Sequence, residues 1–134
     1  VILIVYIVAN KNEDKDSVNK VNKPNEIVQE IEEGQKINTS EKMKETKRLG
    51  NIEISNIILN FQNNESQLIA KAKNIGSIED GDYFIKITMV NEKGYTTGEV
   101  KAYIDKIEAG KEKNISIKVS ADLVNAYDVK IERI

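Results

Sequence analysis

The chain is expected to fold as a mainly β protein, an antiparallel sandwich of about six or seven strands. A hydrophobic N-terminal segment and a partly helical linker are expected ahead of it. Three observations lead there. From Asn51 onward apolar residues recur at every second position, the spacing that turns one face of a strand inward. Turn-forming runs separate them, notably Asn91-Glu92-Lys93-Gly94 and Ala109-Gly110-Lys111-Glu112. At the other end, Val1 to Ala9 is unbroken apolar sequence that gives way to charge from Asn10 onward.

A helix crossing a bilayer needs about 20 apolar residues. The expected reading of Val1 to Ala9, the end of a transmembrane anchor, therefore requires that the anchor begin upstream. A signal-peptide remnant and a buried strand are the alternatives. The lack of alternation favours the anchor, because a strand buried on one face should alternate. Residues 10–50 are expected to be a polar linker. Asn10 to Lys23 offers only Val18 and Val21 as apolar groups and cannot offset its ordering entropy. A short helix is expected near 25–33, with Asn25 as cap, Ile27, Val28 and Ile31 as its stripe and Gly34 as its stop. Ser40 could cap a second helix reaching Leu49, with Met43 and Leu49 as its apolar residues.

The strands follow. Asn51 to Phe61 starts with Ile52 and Ile54 and then changes parity to Ile57, Leu59 and Phe61, which predicts a bulge near Ser55 and Asn56. Ser66 to Ile75 places Leu68, Ala70 and Ala72 on one face. Asp82 to Val90 does so with Tyr83, Ile85, Ile87 and Met89, and Tyr95 to Ile104 with Val100, Ala102 and Ile104. Ile115, Ile117 and Val119 mark the next strand, and Tyr127, Val129 and Ile131 the last.

Composition excludes much chemistry. The 134 residues include no His and no Cys, which removes the commonest general base, the commonest metal ligand, thiolate chemistry and disulfides. A net charge of −2 gives no reason to expect nucleic acid. No Ser-x-x-Lys stands at a helix start and no glycine-rich phosphate loop is present. No catalytic residue, metal ligand or cofactor is expected. Glu79, Asp80 and Asp82 form the densest acidic group, on a predicted loop; a calcium site is one reading and a solvated loop tip the other. Tyr83 and Tyr127 fall on inward positions, whereas Tyr95 and Tyr103 lie on the parity opposite Val100 and are candidates for an exposed contact surface. Asn74, at a strand end, is expected to satisfy backbone groups there.

Several phrases resemble those of small bacterial immunoglobulin-like sandwiches. Lys71-Ala72-Lys73-Asn74-Ile75-Gly76 resembles a strand-ending element, and Ile85 to Gly94 resembles a hairpin of that group. Ile107-Glu108-Ala109-Gly110-Lys111 resembles a turn, with Ala109 where Pro is usual; Ala126 to Ile131 resembles the final strand. Together they resemble an FxLYD-type domain over residues 51 to 134, although the Phe-x-Leu-Tyr-Asp string itself is replaced by Ile87-Thr88-Met89-Val90-Asn91. That resemblance implies membrane-anchored or secreted proteins of Gram-positive bacteria and no catalytic residues. The expected function is a non-enzymatic, extracytoplasmic interaction module of the cell envelope, on a single-pass anchor with its C-terminal domain outside the cell. Its partners would be the membrane and another envelope protein or a cell-wall component. A spacer or accessory domain of a longer membrane protein is the alternative, and a soluble cytoplasmic protein whose first strand is Val1 to Val8 is the third.

Overall fold

Alternation of apolar and polar residues from Asn51 onward is realised as strands throughout. The computed structural model describes the backbone of residues 4–9 and all of residues 27–134. The flexible linker expected over 10–23 lies outside the described residues. Among these, ten strands form two antiparallel sheets, and there is no helix. One sheet runs β1 (Ile4–Ala9), β8 (Thr96–Ile104), β7 (Tyr83–Val90), β10 (Asp128–Arg133). The other runs β2 (Val28–Glu32), β3 (Gln35–Asn38), β5 (Ile52–Gln62), β6 (Glu65–Asn74), β9 (Glu112–Val119), and β4 (Lys47–Leu49) also pairs with β5.

Both sheets contribute to one hydrophobic core. Ile52, Ile54, Ile57 and Leu59 from β5 and Leu68, Ala70 and Ala72 from β6 are buried together with Ile85, Ile87 and Met89 of β7. Val100, Ala102 and Ile104 of β8 and Ile115, Ile117 and Val119 of β9 complete it. The expected parity change in β5 is a bulge: Ser55 pairs with Lys71 but Ile58 with Ile69, so one residue is extra. Asn56, at φ 53°, supplies the left-handed conformation this needs, a conformation Asn tolerates better than most residues. Ile52 and Ile54 before the bulge and Ile57 and Leu59 after it thereby all face inward, while Ile58 is left exposed.

The two helices expected ahead of Asn51 are corrected. Residues 28–32 are strand β2, and Gly34, at φ 80°, is the turn of the β2–β3 hairpin instead of a helix stop. Ile27, Val28 and Ile31 suit a strand as well as a helix, and β-branching favours the strand once a pairing edge exists. That edge is β3, which pairs with Asn60 and Phe61 of β5. The second expected helix is a single turn, with Lys44 and Glu45 N–H donating to Glu41 and Lys42 C=O, before β4 begins. Ser40 keeps a capping role, its Oγ accepting from Met43 N–H at 3.4 Å. The sheet thus begins well ahead of Asn51.

Residues 38–47 cross to the C-terminal part of the chain. Buried Asn38 donates through Nδ2 to Val124 C=O (2.7 Å) and Ala126 C=O (2.6 Å), and its Oδ1 accepts from Ser40 N–H (2.9 Å). Ser40 Oγ donates to Tyr127 C=O, and Lys47 Nζ lies 2.7 Å from Asp128 Oδ1. Met43 is driven into the core beside them. The backbone of Ile4–Ala9 runs along β8, with Ile7 opposite Val100 and Ala9 opposite Gly98, the placement of the strand alternative for the apolar run.

Candidate functional site

The acidic loop is built on Asn74. Its side chain is wholly buried and fully bonded: Nδ2 donates to Ile78 C=O and Ile107 C=O, both at 2.8 Å, and Oδ1 accepts from Gly76 N–H at 2.8 Å. The expected role of Asn74 in satisfying backbone groups is what the structure contains. Asp80 and Ile107 then exchange backbone hydrogen bonds of 3.0 and 2.7 Å, which lays the loop against the segment after β8. Gly81, at φ 111°, passes so close to that segment that a Cβ would stand 2.5 Å from Asp105 C=O.

This frame spreads the carboxylates. Asp80 turns one oxygen to Gly81 N–H (2.7 Å), and its carboxylate bears on the Tyr83 hydroxyl. Glu79 faces Lys106 at 3.8 Å, with both groups exposed. Asp82 is exposed, and its backbone N–H donates to Ile104 C=O at 2.7 Å. Among the described residues, no three His, Cys, Asp or Glu side chains come together as metal ligands would. Calcium takes about 6–8 oxygens, and the loop gathers no such set. Arg133 lies over the Tyr83 ring, its guanidinium carbon 4.0 Å from the centroid. Burial raises the Tyr83 pKa above its ordinary 10.0; the charge of Asp80 and the hydrogen bond to it add to the rise, and Arg133 opposes it.

The two candidate tyrosines are not brought together. Tyr95 stands 66% exposed at the β7–β8 turn, where its N–H donates to Asn91 Oδ1 (2.9 Å). Tyr103 is at the opposite end of β8, opposite Phe84 in register. Their rings meet edge to face, with centroids 5.1 Å apart at 71°, a geometry that sets positive ring edge against negative ring face. Phe84 is 46% exposed, and Ile134 N–H donates to its C=O at 3.0 Å, so the exposed side chain of Ile134 extends the same row. The next row on this face is Lys101, Lys86 and Glu132, with Lys86 and Glu132 3.8 Å apart. Phe84 was legible as outward from its parity, lying between Tyr83 and Ile85, but only strand pairing reveals that it meets Tyr103.

Among the described residues, two voids between the sheets measure about 10 Å³ each and are lined by core side chains such as Leu59, Leu68, Ile87 and Val129. A small-molecule site usually measures ~300–1,000 Å³. The outer face is therefore the better place to seek a contact. No protein-family model, curated protein or solved structure matches the chain.

Proposed function

We propose that this chain is an interaction module of the bacterial cell envelope. It would consist of an FxLYD-type, immunoglobulin-like sandwich held outside the cell by a single-pass anchor ending in Val1 to Ala9, and would act by contact instead of catalysis. The observation that carries the reading is the row Tyr103, Phe84 and Ile134, apolar and accessible on a sheet face whose next row is charged. Aromatic groups exposed on a rigid sheet suit recognition, since they contribute large contact area at little cost in side-chain entropy. The anchor is supported by the sequence of the apolar run and the abrupt change to charge after it. Outside lipid, Ile4–Ala9 pairs along one side with β8.

Fractionation of the native cell tests the reading. The protein should pellet with membranes and be cut by protease added to intact protoplasts. Recovery in the soluble cytoplasmic fraction, protected from protease, would sink it.

A further inference from the structure

Among the described residues, the sheet that carries the aromatic row ends at β10, and the edge has a defined polarity. Ile134 N–H donates to Phe84 C=O, so Ile134, and by alternation Glu132 and Lys130, turn their backbone groups toward β7. Val129, Ile131 and Arg133 turn theirs away from it. Val129 N–H takes Asp128 Oδ1 at 2.8 Å, and no described strand pairs with β10 on that side. β4 packs close alongside β10, with Lys47 on Asp128, but is hydrogen-bonded to β5 and leaves the outward backbone groups of β10 without a strand partner among the described residues.

We propose that the open edge of β10 pairs antiparallel with β10 of a second copy, about a two-fold axis at Ile131. Backbone polarity allows only registers that set outward-turned residues opposite one another. With Ile131 facing Ile131, Val129 faces Arg133 on both sides of the axis, and these three pairs carry the hydrogen bonds, Val129 N–H exchanging Asp128 Oδ1 for the partner's Arg133 C=O. Lys130 then lies opposite Glu132, twice, at the non-hydrogen-bonded positions where side chains are closest. Sliding one permitted step in one direction sets Lys130 against Lys130 and Asp128 against Glu132; sliding the other way sets Glu132 against Glu132. Of these three registers only the central one matches charge as well as backbone polarity; a further step, about Val129, would set Lys130 against Asp128, which Lys47 already holds, and would pair a shorter stretch of β10. Lys130 and Glu132 are both exposed and stand on the outer face of the sheet. In the pair, Glu132 would lie between Lys86 of its own chain and Lys130 of the other. The two four-stranded sheets would become one continuous sheet, with two aromatic rows on the same side. This pairing does not depend on whether Val1 to Ala9 is an anchor.

A strand-edge contact is small, so the association should be weak and read at protein concentrations of about 10 μM to 1 mM. Sedimentation velocity on the 134-residue chain, solubilised in mild detergent, should show a monomer converting to dimer over that range. Lys130→Glu and Glu132→Lys should each weaken the dimer by about tenfold or more, because each puts two like-charge pairs across the axis. The double reversal Lys130→Glu with Glu132→Lys restores complementarity and should restore association. A monomer throughout would overturn the proposal. So would self-association that neither single reversal weakens, or that the double reversal fails to recover. Lys130→Glu is the cleaner single reversal, since Glu132→Lys also sets a cation beside Lys86. If either reversal lowers the melting temperature, Lys130→Gln and Glu132→Gln carry the same comparison at smaller amplitude.

Discussion

Replacing Asn74 with Ala removes three hydrogen bonds at one stroke from the junction of β6, the acidic loop and the segment after β8. The partners do not lose equally. Ile107 C=O keeps a second donor, Asp80 N–H at 3.0 Å, so it is not orphaned. Gly76 N–H and Ile78 C=O are only part-buried, and water can reach them in the variant. Three bonds at about 1 kcal/mol each, reduced by that rehydration, leave a loss of about 2–3 kcal/mol. For a domain of this size, taking about 4 °C per kcal/mol, the melting temperature should fall by about 8–12 °C. Urea unfolding followed by circular dichroism gives the free energy directly. Asn91→Ala is the control: Asn91 Oδ1 also accepts two backbone N–H groups, from Lys93 and Tyr95 at 2.9 Å, but in an exposed turn. Its loss should be about 0.5–1 kcal/mol. An Asn74→Ala loss below about 0.5 kcal/mol, or one no larger than that of Asn91→Ala, would refute the reasoning that burial makes Asn74 a pin.

Gly81→Ala should cost about 2–3 kcal/mol in the same assay, because φ 111° is strained for any side chain and the new methyl meets Asp105 C=O. Tyr83 holds its proton more tightly when folded than when unfolded, so its contribution is fully present below pH 10.0 and is lost as pH rises through the folded value. The stability of Tyr83→Phe should therefore fall less steeply above pH 10 than that of the parent protein; parallel alkaline unfolding curves would contradict the assignment.

How much of this was legible varied with the range of the interactions involved. Alternation is a local signal, and Ile115, Ile117 and Val119 lie buried on β9 as that signal predicts. The bulge in β5 was legible too, since a parity slip from Ile54 to Ile57 has few other physical solutions. Asn74 was readable because it serves backbone groups near its own strand end. Asn38 was not. It stands in a segment poor in apolar residues, and its partners Val124 and Ala126 are more than eighty positions away. The misread helix at 25–33 has the same cause, because β2 becomes a strand only through β3 and, beyond it, β5. At the candidate site, parity correctly placed Tyr103 outward. It could not show that Phe84 is its neighbour while Tyr95 is a strand-length away.

The clasp of Asn38, Ser40 and Lys47 on residues 124–128 bears on how the protein is made. Chains emerge from the ribosome N-terminal end first, at roughly 5–20 residues per second. The β5–β6 hairpin can form as soon as it is out. Asn38 and Lys47, although translated earlier, must wait for Ala126 and Asp128. Met43, which packs beside that clasp, has no complete core to enter during the interval. Glu30, Glu32 and Glu33 spend that time on and beside the outermost strand of the growing sheet, where repeated negative charge discourages pairing with a neighbouring nascent chain. The last step of folding is thus set by the arrival of β10, and a ribosome stalled before Tyr127 would hold a sheet without its fastening.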